Sequence, residues 1–377
     1  MLPIPSLIDP QLEILAYIED YETFIWTDRE RTKSDFEIIK KLNADDLQRF
    51  KKGYYIHNPE SDHLCIINYI KVSIDSELGT VLKISGESIE QYAGQRIVRD
   101  QLTYSGSLYS LFSKLLTENL AYSSTNQGQR AIDMINSQIF TWGGALTSNI
   151  DVQYYGEDLY TIFKTLSEDY HLRWKFRFNY NAMYPVIMYL GKGIDRSISQ
   201  TTVQPIVFSD SYENLANISY AESDYNEQNY AMVLGEGEGS NRRKREVWTG
   251  TNGSSIGGRG LKEIYIDGSS ISKTVNNATV SDAEYDAMLD NYGKTEMSSK
   301  IISKAFDGEI DNSIARYKYG KLDGSLIIMY KYGEDYELGD RVSLLDYFGL
   351  SGDAVVSEYT WSYSSSEAKQ YPAFRFI

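Results

Sequence analysis

The chain reads as a β-rich α+β protein of several domains, and three observations carry that reading. Its 377 residues exceed what one hydrophobic core usually organises, which points to two to four domains. The 32 tyrosines and many Val, Ile and Thr residues, within 42% apolar content, favour half-buried pleated surface over helical bundles. Short runs of alternating or clustered apolar residues fill most of the chain, while a helical apolar period surfaces in only a few places.

From Leu12 to Gln101 the runs LEILAYI, TFIWT, DFEIIKKL, HLCIINYIKVSI and TVLKISG lie between turn-formers, so residues 1–101 are expected to form one small β-barrel or sandwich. A short helical turn is expected over SIEQYAG, ended by Gly94 in a left-handed conformation. Residues 102–200 read as an α/β lobe. There Leu108, Leu111, Phe112, Leu115 and Leu116 share one helix face behind Ser107 as N-cap. A second helix is expected around Arg130 to Ile135 and a third carrying Leu159, Ile162, Phe163 and Leu166, followed by strands LRWKFRF and YPVIMYLG.

Strand patterns resume at PIVFS, ENLANISYA and QNYAMVLG, then give way to GEGEGSNRRKREVWTGTNGSSIGGRG, which reads as a long loop. A strand KEIYI follows. Ser281 and Glu284 then stand in capping-box spacing before a helix with Tyr285, Met288, Leu289 and Tyr292 on one face, which Gly293 is expected to end. Beyond Gly308 the runs SIARYKY, SLIIMYKY, YELGDRVSLLDY, AVVSEYTWSYS and FRFI are again β-like. The economical arrangement makes 201–239 and 309–377 one split barrel with 240–308 inserted as a lobe, since insertion at an exposed loop costs little closure entropy.

Charge and cysteine usage narrow the function. With 53 acidic against 37 basic side chains the formal charge is −16, which disfavours broad adherence to nucleic acid or anionic membrane. Cys65 is the sole cysteine, so no intrachain disulfide forms, and its setting in LCIINYI suggests a small buried filler. The opening MLPIPSLIDPQLEIL lacks the basic and apolar regions of a signal peptide, and no later run has membrane-spanning length, so the chain is expected to fold in the cytoplasm.

No motif marks an active site. In GEGEG, Gly235 to Gly239, the third glycine follows too soon for a dinucleotide loop and Glu236 and Glu238 would repel phosphate, so a flexible turn is expected. Arg242, Arg243, Lys244 and Arg245 form the one dense basic run, read as a solvated loop. His57, His63 and His171 lack metal or triad spacing and read as incidental loop residues, with Glu60 and Asp62 leaving only a faint surface-metal alternative. Asp35 and Glu37 share one side of a strand and Phe36 the other, which suits surface or subunit-contact acids. Trp26, Tyr69, Trp174, Trp361 and Tyr363 are expected in cores or interfaces, not on a sugar platform. ELGD, with Gly339 and Asp340, reads as a hairpin turn. No catalytic, cofactor-binding or metal-ligating residue is assigned, and the chain is not expected to be an enzyme.

The stretch Tyr17 to Ile39, YIEDYETFIWTDRERTKSDFEII, resembles the opening of the Gp37-like hub proteins at the tail tip of siphophages of Gram-positive bacteria. The likeness continues through KVSIDSELGTVLKISGESIEQYAGQRIV, YYGEDLYTIFKTL, PIVFSDSYENLANISY, QNYAMVLGEGEGSNRR, LKEIYID and DYELGDRVSL, and is weakest at Asn252 to Gly258. The resemblance implies a baseplate-hub-like fold of two tube-like β-barrels plus two smaller α/β lobes, closing as a homotrimer around the tail axis. It further implies a virion protein, made in the host cytoplasm, whose partners are the distal tail protein, the tape measure protein and tip spike or receptor-binding proteins, with DNA only in transit. Lytic work is expected from separate chains, because relatives carry it in an extension beyond the position of FRFI. The alternatives are a cell-surface carbohydrate-binding module and a cell-wall glycosidase or peptidase.

Overall fold

The computed structural model describes residues 3–123, 128–143, 146–180, 185–212, 214–249, 256–275, 278–298, 300, 302–309, 319–322, 325–328, 330–364 and 368–377. Two compact units divide the chain: Met1–Ser219 with Phe306–Ile377, and Tyr220–Ala305.

Seven strands open the first unit: β1 (Ser6–Ile8), β2 (Ile14–Tyr17), β3 (Tyr21–Arg29), β4 (Asp35–Lys41), β5 (Tyr55–His57), β6 (Leu64–Asp75) and β7 (Gly79–Ser88). Single-turn helices α1 (Asp46–Arg49) and α2 (Gln91–Gly94) follow β4 and β7. Phe24 and Trp26 of β3 are buried opposite Ile38 and Phe36 of β4. The alternation in DFE holds: Phe36 is buried, whereas Asp35 meets Arg29 and Glu37 meets Lys83 at 2.7 Å. Gly94 ends α2 without a left-handed backbone, a departure from the sequence reading. The turn is closed instead by the Gln95 and Arg96 amides on the Tyr92 and Ala93 carbonyls.

The α/β part of this unit contains β8 (Leu102–Ser107), α3 (Leu108–Asn119), β9 (Ile135–Trp142), β10 (Asn149–Tyr154), α4 (Leu159–Asp169), β11 (Arg173–Phe178) and β12 (Val186–Gly191). Ser107 caps α3 by accepting from the Ser110 amide at 3.2 Å, and Asp158 caps α4 by accepting from Thr161 at 2.9 Å. The two apolar helix faces meet in a Phe112–Phe163 stack with centroids 4.9 Å apart. The helix expected around Arg130 to Ile135 is absent. The Ile132 amide is bonded to the Leu120 carbonyl at the end of α3, so this segment runs alongside the helix end and enters β9 at Ile135. One continuous core extends from Ile8, Leu64 and Ile89 through both helices to Trp174 and Leu190.

Two more strands, β13 (Val207–Ser209) and β14 (Ala216–Ser223), lead toward the second unit, which holds β15 (Tyr230–Leu234), β16 (Lys244–Trp248), β17 (Glu263–Asp267), the short pair β18 (Thr274–Val275) and β19 (Ala278–Thr279), and α5 (Asp282–Ser298). β15 is central, antiparallel to β16 and parallel to β17, and Tyr285, Leu289 and Met297 of α5 join Ala231, Val233, Val247 and Ile266 in its core. Ser281 caps α5 by accepting from the Glu284 amide at 3.2 Å. Two sequence expectations fail here. The KREVW portion of the expected loop is strand β16, because Val247 is buried while the charged side chains around it bond to acids of α5. Gly293 does not end α5; a Cβ there would stand 2.6 Å from Val233 and 2.8 Å from Val247, so the glycine lets the helix lie close on the sheet.

The chain returns through β20 (Ser303–Glu309), β21 (Tyr319–Leu322), β22 (Ser325–Ile328), β23 (Arg341–Tyr347), β24 (Leu350–Ser364) and β25 (Ala368–Phe376). Most of SIARYKY, expected as a strand, and part of Asn252 to Gly258 lie outside the described residues. β24 pairs with β23, β25 and β3, which joins both ends of the chain in one 13-stranded sheet, ordered β14-β20-β25-β24-β3-β4-β7-β6-β5-β1-β2 with β23 and β13 branching from β24. The molecule is thus β-rich with few helices, and no strand path closes on itself among the described residues.

Two substitutions test this packing. Trp361→Ala removes a fully buried ring and is expected to cost about 3–5 kcal/mol. Gly293→Val overpacks α5 against β15 and β16 and is expected to cost about 1–3 kcal/mol. Denaturant unfolding of the full chain checks both, and a wild-type midpoint for either variant contradicts the corresponding contact.

Candidate functional site

Four segments of the first unit converge around the ELGD turn: β11, the stretch Gly193–Arg196 after β12, the turn Glu337–Asp340 before β23, and the loop Asn58–His63. Gly339 has φ +80°, and a Cβ on Gly193 would lie 1.8 Å from its carbonyl oxygen, so two backbones touch where both residues must be glycine. Beside this contact the buried Asp340 carboxylate accepts from the Ile194 amide and Arg196 Nε, both at 2.8 Å, and from the Glu337 amide at 3.1 Å. The expected turn is present, and its aspartate also pins a segment far away in sequence. Buried Arg173 donates to the Leu338 carbonyl and lies over the Trp142 ring, 5.8 Å from its centroid. A cleft of about 200 Å³ opens here, lined by Phe140, Trp142, Lys175, Arg177 and Glu337 among others.

The electrostatics follow from β11. Arg173, Lys175 and Arg177 occupy alternate positions and so share one side of the strand, while Trp174, Phe176 and Phe178 face the core. Lys175 is buried within reach of Asp62 at 3.4 Å and Glu337 at 3.9 Å. Its burial, with Arg173 beside it, pulls the ammonium down to about 8. Burial alone would raise the Asp62 carboxyl, but Lys175 and Arg177, the latter at 2.7 Å, hold it below its usual range. Arg177 also lies 4.8 Å from the centroid of the Tyr189 ring.

A second polar knot lies under the same loop. His63 is buried with Nδ1 3.3 Å from Glu90, whose carboxylate accepts from the Phe176 amide at 2.8 Å. Burial would lower His63 and raise Glu90, yet Asp28 and Glu90 push the imidazole above its ordinary value and His63 holds Glu90 below its own. Asp28 accepts from Trp26 Nε1 at 2.8 Å and Ser61 Oγ at 2.9 Å. The site is therefore a set of buried ion pairs and caps that fastens strands to loops.

The profile of the family described as Siphovirus ReqiPepy6 Gp37-like protein matches residues 4–374. The chain belongs to that family. Three solved structures share the fold of this Gp37-like chain. The tail protein from Neisseria meningitidis MC58 superposes with TM-score 0.56 at 11% identity, covering 100% of this chain and 97% of its own. The 43 kDa tail protein of prophage MuSo2 from Shewanella oneidensis gives 0.55 at 10%, covering 99% and 97%. The prophage tail protein gp18 from Listeria monocytogenes EGD-e gives 0.52 at 10%, covering 99% and 94%. No curated protein sequence matches.

Other motifs of the Gp37-like chain fall into place around this core. His63 is no incidental loop residue. His57 packs edge-on against Phe178, with centroids 5.2 Å apart, and Glu60 accepts from the Tyr363 hydroxyl at 2.8 Å, so the groups of the faint metal alternative are engaged separately. Trp26, Trp174, Trp361 and Tyr363 are buried; Tyr69 alone of that set is exposed. The basic run lies at the surface, with Arg243 and Lys244 exposed as a solvated run would be, but only Arg242 and Arg243 precede β16 and all four side chains are paired. Arg242 bonds to Asp267 and to the Gly235 carbonyl, Arg243 to Asp286 at 2.5 Å, Lys244 to Glu246 at 2.7 Å and Arg245 to Asp290 at 2.6 Å. GEGEG is a turn, with Gly237 and Gly239 at positive φ. No helix among the described residues is long and apolar enough to cross a membrane. The ion pairs of β11 went unread in the sequence, although three cations at period two on an aromatic strand signal a need for buried acids.

Two outcomes follow from the titrating groups. Lys175 binds its proton less tightly folded than unfolded, so the unfolded chain holds more protons between about 8 and the ordinary 10.5, and stability rises with pH over that window. Unfolding free energy measured across it should climb more steeply for wild type than for Lys175→Met; equal slopes contradict the assignment. For His63 the raised value makes its contribution fully present below the ordinary histidine range and lost as pH rises through the folded value. Glu90→Gln strips the buried imidazolium of its partner and is expected to cost about 3–5 kcal/mol at mildly acidic pH, where chemical denaturation reads it directly.

Proposed function

We propose that this chain is a structural component of a phage or prophage tail, acting as the hub at the tail tip. The observation that carries the reading is the family match over nearly the whole chain, supported by a fold shared with three tail proteins along their full length. In this reading three copies close around the tail axis. Each copy supplies two tube-like barrels and two smaller lobes, with Tyr220–Ala305 as the second lobe. Two equivalent barrels in each of three subunits reconcile a sixfold tube with a threefold tip.

The hub joins the distal tail protein and the tape measure protein to a tip spike or receptor-binding protein, closes the tube before infection and opens for DNA ejection. It resides in the virion and is made in the host cytoplasm. Its role is mechanical and not enzymatic. The pairing of the basic run with Asp267, Asp286, Asp290 and Glu246 supports passage of DNA, since cations already engaged by acids release fewer counterions to a passing polyanion. The carbohydrate-platform alternative loses support because most of the aromatics that would build it are buried.

Electron microscopy of isolated tails tests the reading: three copies of the chain are expected at the tip, and two or six would refute it. Zymography on host peptidoglycan should give no clearing. A clearing band abolished by one carboxylate-to-amide change would replace the structural reading with a hydrolase.

A further inference from the structure

β6 outlasts its neighbour. β5 pairs with it only over Leu64–Ile66, and Gly53 and Tyr54 complete the bonding at Ile67. Among the described residues the edge of β6 away from β7 is therefore open from Asn68 to Asp75. The segment NYIKVSID is strongly β-prone, and Tyr69, Val72 and Ile74 are 49%, 43% and 87% exposed. Native proteins usually blunt such an edge with proline, a short strand or several charges, because its unpaired amides and carbonyls are a template for another chain. Here the irregular register at Ile67/Tyr69 lies at the base and leaves the outer part regular.

Charge on the arm states what the other chain should carry. Lys71, the one cation between Asn68 and Asp75, stands directly opposite Lys83 of β7. Lys83 is answered by Glu37 at 2.7 Å, whereas Lys71 has no acid partner among the described residues. Like charges facing each other across a ladder destabilise it, so the site calls for a carboxylate from outside.

β2 offers the complement. It ends the strand order and pairs only with β1, so its open side faces away from β6 of the same copy. Glu13, Leu15, Tyr17 and Glu19 are exposed at alternate positions, and neither glutamate has a cation partner among the described residues. The four strand residues of β2, Ile14–Tyr17, cover about half of the eight-residue arm, roughly 13 of 26 Å, with Glu13 and Glu19 flanking them.

We infer that β2 of one copy adds as a strand to the open β6 edge of the next, setting Leu15 and Tyr17 beside Tyr69 and a glutamate against Lys71, which shares that face of the arm with Tyr69. The contact is head-to-tail, so it propagates around a ring and does not stop at a pair. It rests on the tail-tip reading only for the size of that ring.

The test uses the purified full chain carrying Leu15→Cys and Tyr69→Cys, joined by a bismaleimide; native Cys65 is buried and stays silent. A cross-linked ladder ending at three copies is expected. Separately, Lys71→Glu should weaken association about tenfold by sedimentation, Glu13→Lys with Glu19→Lys should do the same, and the three changes together should restore it. A trimer that forms without the cross-link and ignores Lys71→Glu overturns the contact and leaves the threefold hub standing. A cross-linked closed ring of another size upholds the contact and overturns the threefold hub. A chain that stays monomeric and uncross-linked at its highest soluble concentration overturns the contact.

Discussion

The antiparallel pairing of β3 with β24 places Trp26 opposite Trp361 and Phe24 opposite Tyr363 in one buried layer, with Thr27 bonded to Thr360 on the reverse face across 333 positions of sequence. From this seam β3 passes to β4, β7 and β6, while β24 passes to β25 and β23. Among the described residues, the seam is thus the one place where strands β1–β7 and β20–β25 share a ladder. Closing so long a loop costs conformational entropy before any contact repays it, and the repayment comes from large aromatic side chains that each bury much apolar area. Contacts of this separation also slow folding, since nearly the whole chain must be present before they form.

Around that seam the chain uses polar groups as fasteners. Asp28, two residues after Trp26 on β3, accepts a hydrogen bond from its indole N–H and holds Ser61, and through that loop His63 and Glu90 reach the Phe176 amide of β11. Asp340 does the same at the other end of β11, where Arg173 reaches the Leu338 carbonyl. Buried groups of this kind contribute little as isolated pairs, because desolvation offsets attraction, but removing one partner leaves an uncompensated charge and is costly. Their effect is to make the alternative placements of these loops expensive. The glycine contact between Gly193 and Gly339 adds a steric condition that no larger side chain meets.

What the sequence disclosed depended on whether local pattern and final environment agreed. α3 and α4 were legible because period, cap and burial coincide at Ser107 and Asp158. β16 was not, since the one buried residue of KREVW is Val247 and its Arg245 is answered by Asp290 on α5, more than forty residues away. Arg130 to Ile135 shows the reverse error: Ile132 and Ile135 fit a helical turn, but the Ile132 amide is taken by Leu120. Gly293 misled because a glycine marks either a helix end or a close approach, and only the valines beneath it decide. The cluster around Lys175 was hidden for the same reason, as Asp62 and Glu337 carry no local signal of the strand they neutralise.

The acid surplus gains a different meaning once the cations are located. Lys40 is buried at 2.9 Å from both Asp20 and Asp46, Arg173 and Lys175 are buried beside Glu337, and Arg243 and Arg245 face Asp286 and Asp290. An unpaired ion away from water is penalised by several kcal/mol, at least about 3 kcal/mol when a partner is lost, so the buried Lys40, Arg173 and Lys175 require acids near them, whereas Arg243 and Arg245 form their pairs at the surface. Many carboxylates are therefore structural, and the cations they hold are withdrawn from outside ligands. For a chain in the proposed tail position this matters more than the net figure of −16. Polyanion binding is driven by free cations releasing counterions, and a protein can spoil it either by adding acids or by occupying its cations. This chain does both, and leaves Lys71 on the open β6 edge as a cation whose answering carboxylate must come from elsewhere.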